Sequence, residues 1–364
     1  MKPSCGKSVV LMIRNPALVK YLLLALLASI TLISAAGCAK QEAPAVSQPA
    51  AEGDVTLVIG AYSVVKDAFR ELLPEFQQYW QQKTGQRVTF QESYEASGTQ
   101  ARAIAGGFEA DVAVLAMEGD LDKISDAGLL THNWRDRSNE GMITRSIVVL
   151  GTRPGNPLGI QDWADLARDG VKVLYPNPKT SGGAQWDINA IYGAGLKRAE
   201  AETGEKSVDY AKTFLKAVHR NVESLDKSGR ASMAAFEYGV GDAIVTYENE
   251  LIARIQKGIA YDIVIPKDTI LIENPAAVVD KNVDRHGTRE VAEAFVDYLH
   301  SEEAQRLFVR HGFRPSHEAI AEESKEKFVT PEGLFDIDYL GGWSEVRQLL
   351  YSKKGVWYQV LADI

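Results

Sequence analysis

Four short stretches place serine or glycine where a strand hands over to a helix. They are Ala61-Tyr62-Ser63, Ala96-Ser97-Gly98, Thr180-Ser181-Gly182-Gly183 and Ser228-Gly229-Arg230. The first N–H groups of a helix have no partner within it, and its dipole makes that end positive. Helix starts turned toward one point therefore suit a small anion, held by neutral donors. Taken singly, each stretch reads more readily as punctuation, because Ser is a good helix cap and Gly a good turn residue. Their recurrence on both sides of one expected cleft is what favours the anion.

The elements needed to position them follow from periodicity. VTLVIGAYS is a strand ending near Tyr62. After it, Val65, Phe69, Leu72, Leu73, Phe76 and Tyr79 fall at helical steps; Pro74 predicts a kink and Gly85 a stop. RVTFQES and ADVAVLA read as strands, SGTQARAIAGG as a helix capped by Ser97, and LDKISDAGL as a further helix. This alternation predicts a parallel α/β sheet. The pattern then repeats with ITRSIVVLG and VKVLYPN as strands, and with helices in WADLARDG, from Gly183 to Leu196, in KTFLKAVHRNVES and in RASMAAFEYG. DAIVTYENELIARI and YDIVIP add strands and a helix, TILIENPAAVVD a crossing strand, and the tail is mostly helical. Two α/β lobes joined by two long strands are expected, 54–148 with 271–364 and 149–270. Ligands of open α/β sheets bind beyond the carboxyl ends of the strands, where the serines and glycines stand.

The N-terminus reads as address rather than fold. Lys2, Lys7, Arg14 and Lys20 precede the apolar run YLLLALLASITLI, which is short for a membrane span and suited to a signal peptide. SAAGC then resembles a bacterial lipobox, so residues 1–37 are expected to be a lipoprotein signal and Cys38 the lipidated residue, with Met12 an alternative start. An ordinary secretory signal cut near Ala36, or an uncleaved anchor, is the competing reading. Residues 38–53, rich in Ala, Pro, Gln and Ser, read as a tether. Cys5 and Cys38 are the only cysteines, so the body has no disulfide and no thiol chemistry. A net charge of −9 with no basic stripe argues against nucleic acid.

NPKTSGGAQW, ASGTQARAIAGGFEADVAVLA, YGVGDAIVTYENE and the terminal HGFRP resemble the sulfate-binding proteins of bacterial ABC importers, over nearly all of the chain from residue 54. The resemblance implies a type II, two-lobed periplasmic binding fold with sulfate or thiosulfate in the cleft and a permease as partner. It implies an extracytoplasmic monomer without cofactor or catalysis. Carried over, Ser181 gives its hydroxyl, and Gly182, Gly183, Ser97, Gly229 and Ser63 give backbone N–H groups. Tyr247 stands where many members have tryptophan, and Ser63 where many have aspartate. Arg230 is expected to tie loops near the site and Lys179 to be a solvated charge, while Trp163, Trp186 and Trp343 are packing residues. A fully ionised anion needs donors only, and every residue in this set is a donor.

Two other readings stand beside this one. A tethered sensor of another tetrahedral oxyanion, phosphate or molybdate, would use the same donors. Ser63-Val64-Val65-Lys66, Lys83-Thr84-Gly85 and Tyr247-Glu248-Asn249 together resemble the motifs of serine acyl-transferases, but K-T-G comes too early in the chain. Gly239-Val240-Gly241 is too little for a dinucleotide fingerprint, and no H-x-x-x-H pair is present. A loose pairing of His311 with His317 is the nearest approach to a metal motif.

Overall fold

The computed structural model describes residues 53–363. The signal segment 1–37, Cys38 and the tether up to Glu52 lie outside the described residues. The strands are β1 Val55–Tyr62, β2 Val88–Glu95, β3 Val112–Val114, β4 Met142–Thr152, β5 Val173–Pro176, β6 Val222–Asp226, β7 Ala243–Tyr247, β8 Asp262–Val264, β9 Leu271–Val278 and β10 Arg314–Pro315. The helices are α1 Lys66–Thr84, α2 Ser97–Ala105, α3 Glu118–Asp126, α4 Gly182–Thr203, α5 Val208–His219, α6 Gly229–Glu237 and α7 Glu248–Gln256. The chain continues through α8 Asp280–His286, α9 Arg289–Leu299, α10 Glu302–Arg310, α11 Glu318–Glu323, α12 Gly342–Leu349 and α13 Val356–Ala362.

The sheet order is β2-β1-β3-β9-β4-β7-β5-β6, with β8 and β10 paired to β4. The sheet is mixed, not purely parallel as the β-α alternation predicts. β1 pairs in parallel with β2 and β3, and β5 with β6 and β7. Between these sets, β9 and β4 run antiparallel to their neighbours. β4 pairs through its first half with β9 and through its second half with β7 and β8, so it passes from one sheet region into the other.

Local chemistry explains most elements. α1 buries Phe69, Leu72, Leu73, Phe76 and Trp80; Tyr79, expected inside, is partly exposed, since Trp80 takes the inward position. The helix continues through Pro74 and ends at Gly85, whose φ of 75° only glycine adopts without strain. Phe76 meets Phe295 of α9 edge-on at 5.0 Å, clamping α1 onto the later helices. α4 is buried on nearly every side, from Ala184 through Trp186 to Leu196. Its glycines permit this: a Cβ at Gly193 would lie 2.3 Å from the Phe335 ring, and one at Gly195 would lie 2.8 Å from Ala211 Cα.

Two expectations need correction. KTFLKAVHRNVES is not one helix, because α5 stops at His219 and VESLD pairs beside β5 as the edge strand β6. WADLARDG forms only a 3₁₀ turn, Trp163–Ala167, within a capping box of Asp162 and Asp165. The last helices of the chain pack on α4 and α5. Tyr351 donates to Gln185 O and Asn189 Oδ1, Trp343 meets Trp186 edge-on, and Trp357 meets His219.

Candidate functional site

Four helix starts meet at one small cavity. Ser63 lies just after β1, in the 3₁₀ turn that leads into α1. Ser97 opens α2 after β2, Ser181 precedes α4 after β5, and Ser228-Gly229 opens α6 after β6. The starts adjoin in pairs. A Cβ at Gly98 would lie 3.0 Å from Thr180 O, and one at Gly229 would lie 3.8 Å from Val64. Ser63, Ser97, Ser181, Gly183, Gly229 and Tyr247 all line the cavity. Gly182 does not line it; a Cβ there would lie 3.0 Å from Ala116 Cβ and from Asp120 Oδ2. The cavity measures about 20 Å³, little more than the ~10–15 Å³ that admits one water-sized group. A compact ion suits this space, and a sugar, peptide or nucleotide does not.

The donors are set up by local hydrogen bonding. Ser181 is the N-cap of α4, its Oγ accepting from Ala184 N at 3.3 Å. Acceptance leaves its O–H proton available. The N–H groups of Gly182 and Gly183 are the first two of the helix and have no carbonyl within it. Ser228 caps α6 in the same way, accepting from Ala231 N at 3.1 Å, and so leaves the N–H of Gly229 outside the helical pattern. Ser97 differs from its expected role. It is the first residue of α2, not its cap, and its Oγ donates to Asp120 Oδ2 at 2.6 Å while accepting from Ala116 N at 2.9 Å. Only its backbone N–H is left for a ligand. The Tyr247 hydroxyl is buried without a hydrogen-bond partner, and burial pushes its pKa well above the ordinary tyrosine value. It is a donor only.

Arg230 joins two helix starts. It contacts Asp67 Oδ2 at 3.1 Å, Val64 O at 3.3 Å and Glu250 Oε1 at 3.5 Å. Lys257 reaches the same Asp67 oxygen at 3.0 Å. Burial raises the Asp67 carboxyl, but the hydrogen bonds from Lys257 and Arg230 outweigh it and hold the group well below the usual carboxylate range. Further links tie the flanking segments together: Arg102 donates to Lys179 O at 3.1 Å, and Trp186 Nε1 to Ala116 O at 2.7 Å. The Lys179 side chain is exposed. Trp163, Trp186 and Trp343 are all buried, and the Trp163 indole is spent on Asp268 O.

Sequence reasoning missed part of the wall. Tyr62, Asp187 and Glu250 also line the cavity, so the donor-only description is incomplete. Glu250 is neutralised by Arg254 at 3.1 Å and by Arg230. Asp187 has no such partner. A signal for both existed: Asp187 is four residues beyond Gly183 on a helix, and Glu250 three beyond Tyr247, spacings that share a helix face. Tyr62 donates to Asn274 Oδ1 at 3.2 Å and Asn274 donates to Ala116 O at 2.8 Å, linking β9 to the cavity-lining Tyr62 and Ala116.

The acyl-transferase constellation does not assemble. Lys83 lies in the last turn of α1, at the far end from Ser63, roughly 30 Å away by helical rise. His311 pairs with Glu71 at 3.1 Å, not with His317. Among the described residues no group of three or more His, Cys, Asp or Glu is placed to hold a metal, and no helix is long and apolar enough to cross a membrane.

Residues 57–314 match the model of a family described as bacterial extracellular solute-binding protein. The chain is 40% identical to a sulfate-binding protein of Synechococcus elongatus, across 92% of this chain and 93% of that one. It is 35% identical to a thiosulfate-binding protein of Escherichia coli, across 84% and 91%. The solved structure of the sulfate-binding protein SubI from Mycobacterium tuberculosis H37Rv superposes with a TM-score of 0.75 at 32% identity, covering 83% of this chain and all of SubI. A periplasmic thiamin binding protein at 16% identity shares the fold, with a TM-score of 0.61. The fold is therefore that of the type II periplasmic binding proteins. With its helix starts gathered round one ion-sized cavity, the chain belongs to the sulfate-binding protein family of bacterial extracellular solute-binding proteins.

Proposed function

We propose that this protein captures sulfate, or the closely related thiosulfate, in the cavity between its helix starts and delivers it to the permease of an ABC importer. The observation that carries the reading is the convergence of unpaired helix-start N–H groups and the free Ser181 O–H on a cavity of about 20 Å³. Relatives aligned over most of the chain are named for sulfate or thiosulfate binding, which supports a carrier and not an enzyme. Ser181 gives its hydroxyl, Gly182, Gly183, Ser97, Gly229 and Ser63 their N–H groups, and Tyr247 its phenol. Arg230 holds the α1 and α6 starts together. Charge-assisted hydrogen bonds contribute about 1.5–3 kcal/mol each, so several offset the desolvation of a dianion once water is excluded.

The same reading places 54–148 and 271–364 in one lobe and 149–270 in the other. Hinge closure about β4 and β9 encloses the ion, and the closed face is what a permease meets. Residues 1–37 direct export and a lipid on Cys38, with 39–53 as tether, holds a monomeric body at the outer face of a bacterial membrane. The test is calorimetric titration with sulfate after unfolding and refolding to strip bound anion, with phosphate and molybdate as controls. One-to-one sulfate binding with no phosphate heat is expected. A folded protein that ignores sulfate and binds phosphate or molybdate is instead a carrier or sensor of that oxyanion.

A further inference from the structure

Asp187 is the one cavity-lining acid without a countercharge. It sits in the second turn of α4, beyond Ser181 and Gly183, and is 2% exposed. Its Oδ1 is buried with no hydrogen-bond partner. Among the described residues no Lys, Arg or His makes an ion pair with it. The other acids near the cavity are compensated, Glu250 by Arg230 and Arg254 and Asp120 by Lys123. The groups facing Asp187 are phenols: buried Tyr175 of β5 and Tyr247 at the start of α7, and half-buried Tyr351 of the C-terminal segment. Behind Tyr175 lies His219, whose burial lowers its pKa to about 4 and keeps it neutral. An ionised carboxylate in such surroundings bears a large desolvation cost. A dianion placed beside it would raise that cost further.

We infer that Asp187 is a specificity-determining ligand group, held as an uncharged carboxylic acid whose O–H donates to the bound dianion. The inference rests on the sulfate reading above and deepens it. Burial pushes the Asp187 carboxyl well above the ordinary range, in agreement with the geometry. Selectivity follows from the proton. Sulfate has none at neutral pH and accepts the one Asp187 offers. A monoprotonated anion such as hydrogen phosphate brings its own and needs an acceptor. Two protons then compete for one contact, and ionising Asp187 to relieve this sets a buried carboxylate against a dianion.

The test combines infrared spectroscopy with sulfate titration of the full chain. The difference between wild type and Asp187→Asn, at neutral pH, isolates the Asp187 carboxyl band. A protonated band that shifts when sulfate is added is expected. Asp187→Ala is expected to weaken sulfate binding about 10- to 150-fold, the scale of one charge-assisted bond. Asp187→Asn keeps an N–H donor and is expected to stay within about threefold of wild type, a change of about half a tenfold step. If the alanine variant does not fold, the asparagine variant and the band decide alone. A carboxylate band at neutral pH, a band blind to sulfate, or an alanine variant binding as tightly as wild type overturns the inference while leaving sulfate capture standing. A wild type that binds no sulfate removes both.

Discussion

Ser97 and Ser181 look alike in sequence and differ in what they can offer. Both stand at a helix start, both are almost fully buried, and both line the same cavity. The Ser181 hydroxyl accepts one backbone N–H and keeps its proton free. The Ser97 hydroxyl is committed twice, to Asp120 and to Ala116 N. It locks α2 to the loop before α3 and has nothing left for a ligand. Residue type and place in the chain therefore do not settle a binding role; the remaining hydrogen-bonding capacity does.

The comparison is broken or sharpened by replacing each serine in turn. Ser181→Ala removes the proposed ligand donor and is expected to weaken sulfate binding by about 1.5–3 kcal/mol, read by calorimetry. Loss of the α4 cap should also cost about 1 kcal/mol of stability. Ser97→Ala should show the opposite balance. Its unfolding free energy is expected to fall by about 1.5–3 kcal/mol, because a buried carboxylate loses a hydrogen bond. Its sulfate affinity should change by no more than about 0.5 kcal/mol, since the backbone N–H remains. Equal affinity losses in the two variants would erase the distinction.

The smallest effect concerns the charged side of the site. The Asp67 carboxyl is held low by Lys257 and Arg230, so its contribution is present above the ordinary carboxylate range and lost as pH falls below it. The partners are partly exposed, which limits the contribution to roughly 1 kcal/mol or less. Asp67→Asn should lower stability at neutral pH and converge with wild type in acid, as followed by denaturant melts across pH. A gap that persists in acid would assign Asp67 a role other than ion pairing.

Much of the site was legible because helix starts have a compact signature. Ser181-Gly182-Gly183 announces both a cap and bare backbone, and the structure brings it to one cavity with Ser63, Gly229 and Tyr247. Asp187 and Glu250 were not seen, since an acid inside a helix reads as solvated unless its face is known to be buried. α4 hides that face, being buried on nearly every side over its first four turns and so without a clear amphipathic period. β6 was missed for a related reason: VESLD is a half-exposed edge strand that follows α5 after only two residues, with little alternation to mark it. The mixed sheet could not be read from element order, because strand direction is set by crossovers that local pattern does not encode. The place of the last helices was likewise hidden, as Trp343 and Trp357 mark a buried face without naming what covers it.

The most direct test of the central claim, that neutral donors at these helix starts hold a tetrahedral dianion, is a crystal structure of the protein with selenate, located by its anomalous signal. One selenium peak is expected inside the cavity, with oxygens in hydrogen-bonding reach of Ser181 Oγ and the N–H groups of Gly182, Gly183 and Gly229. A peak found instead on exposed lysines or arginines, with the cavity holding no selenium, would contradict the account.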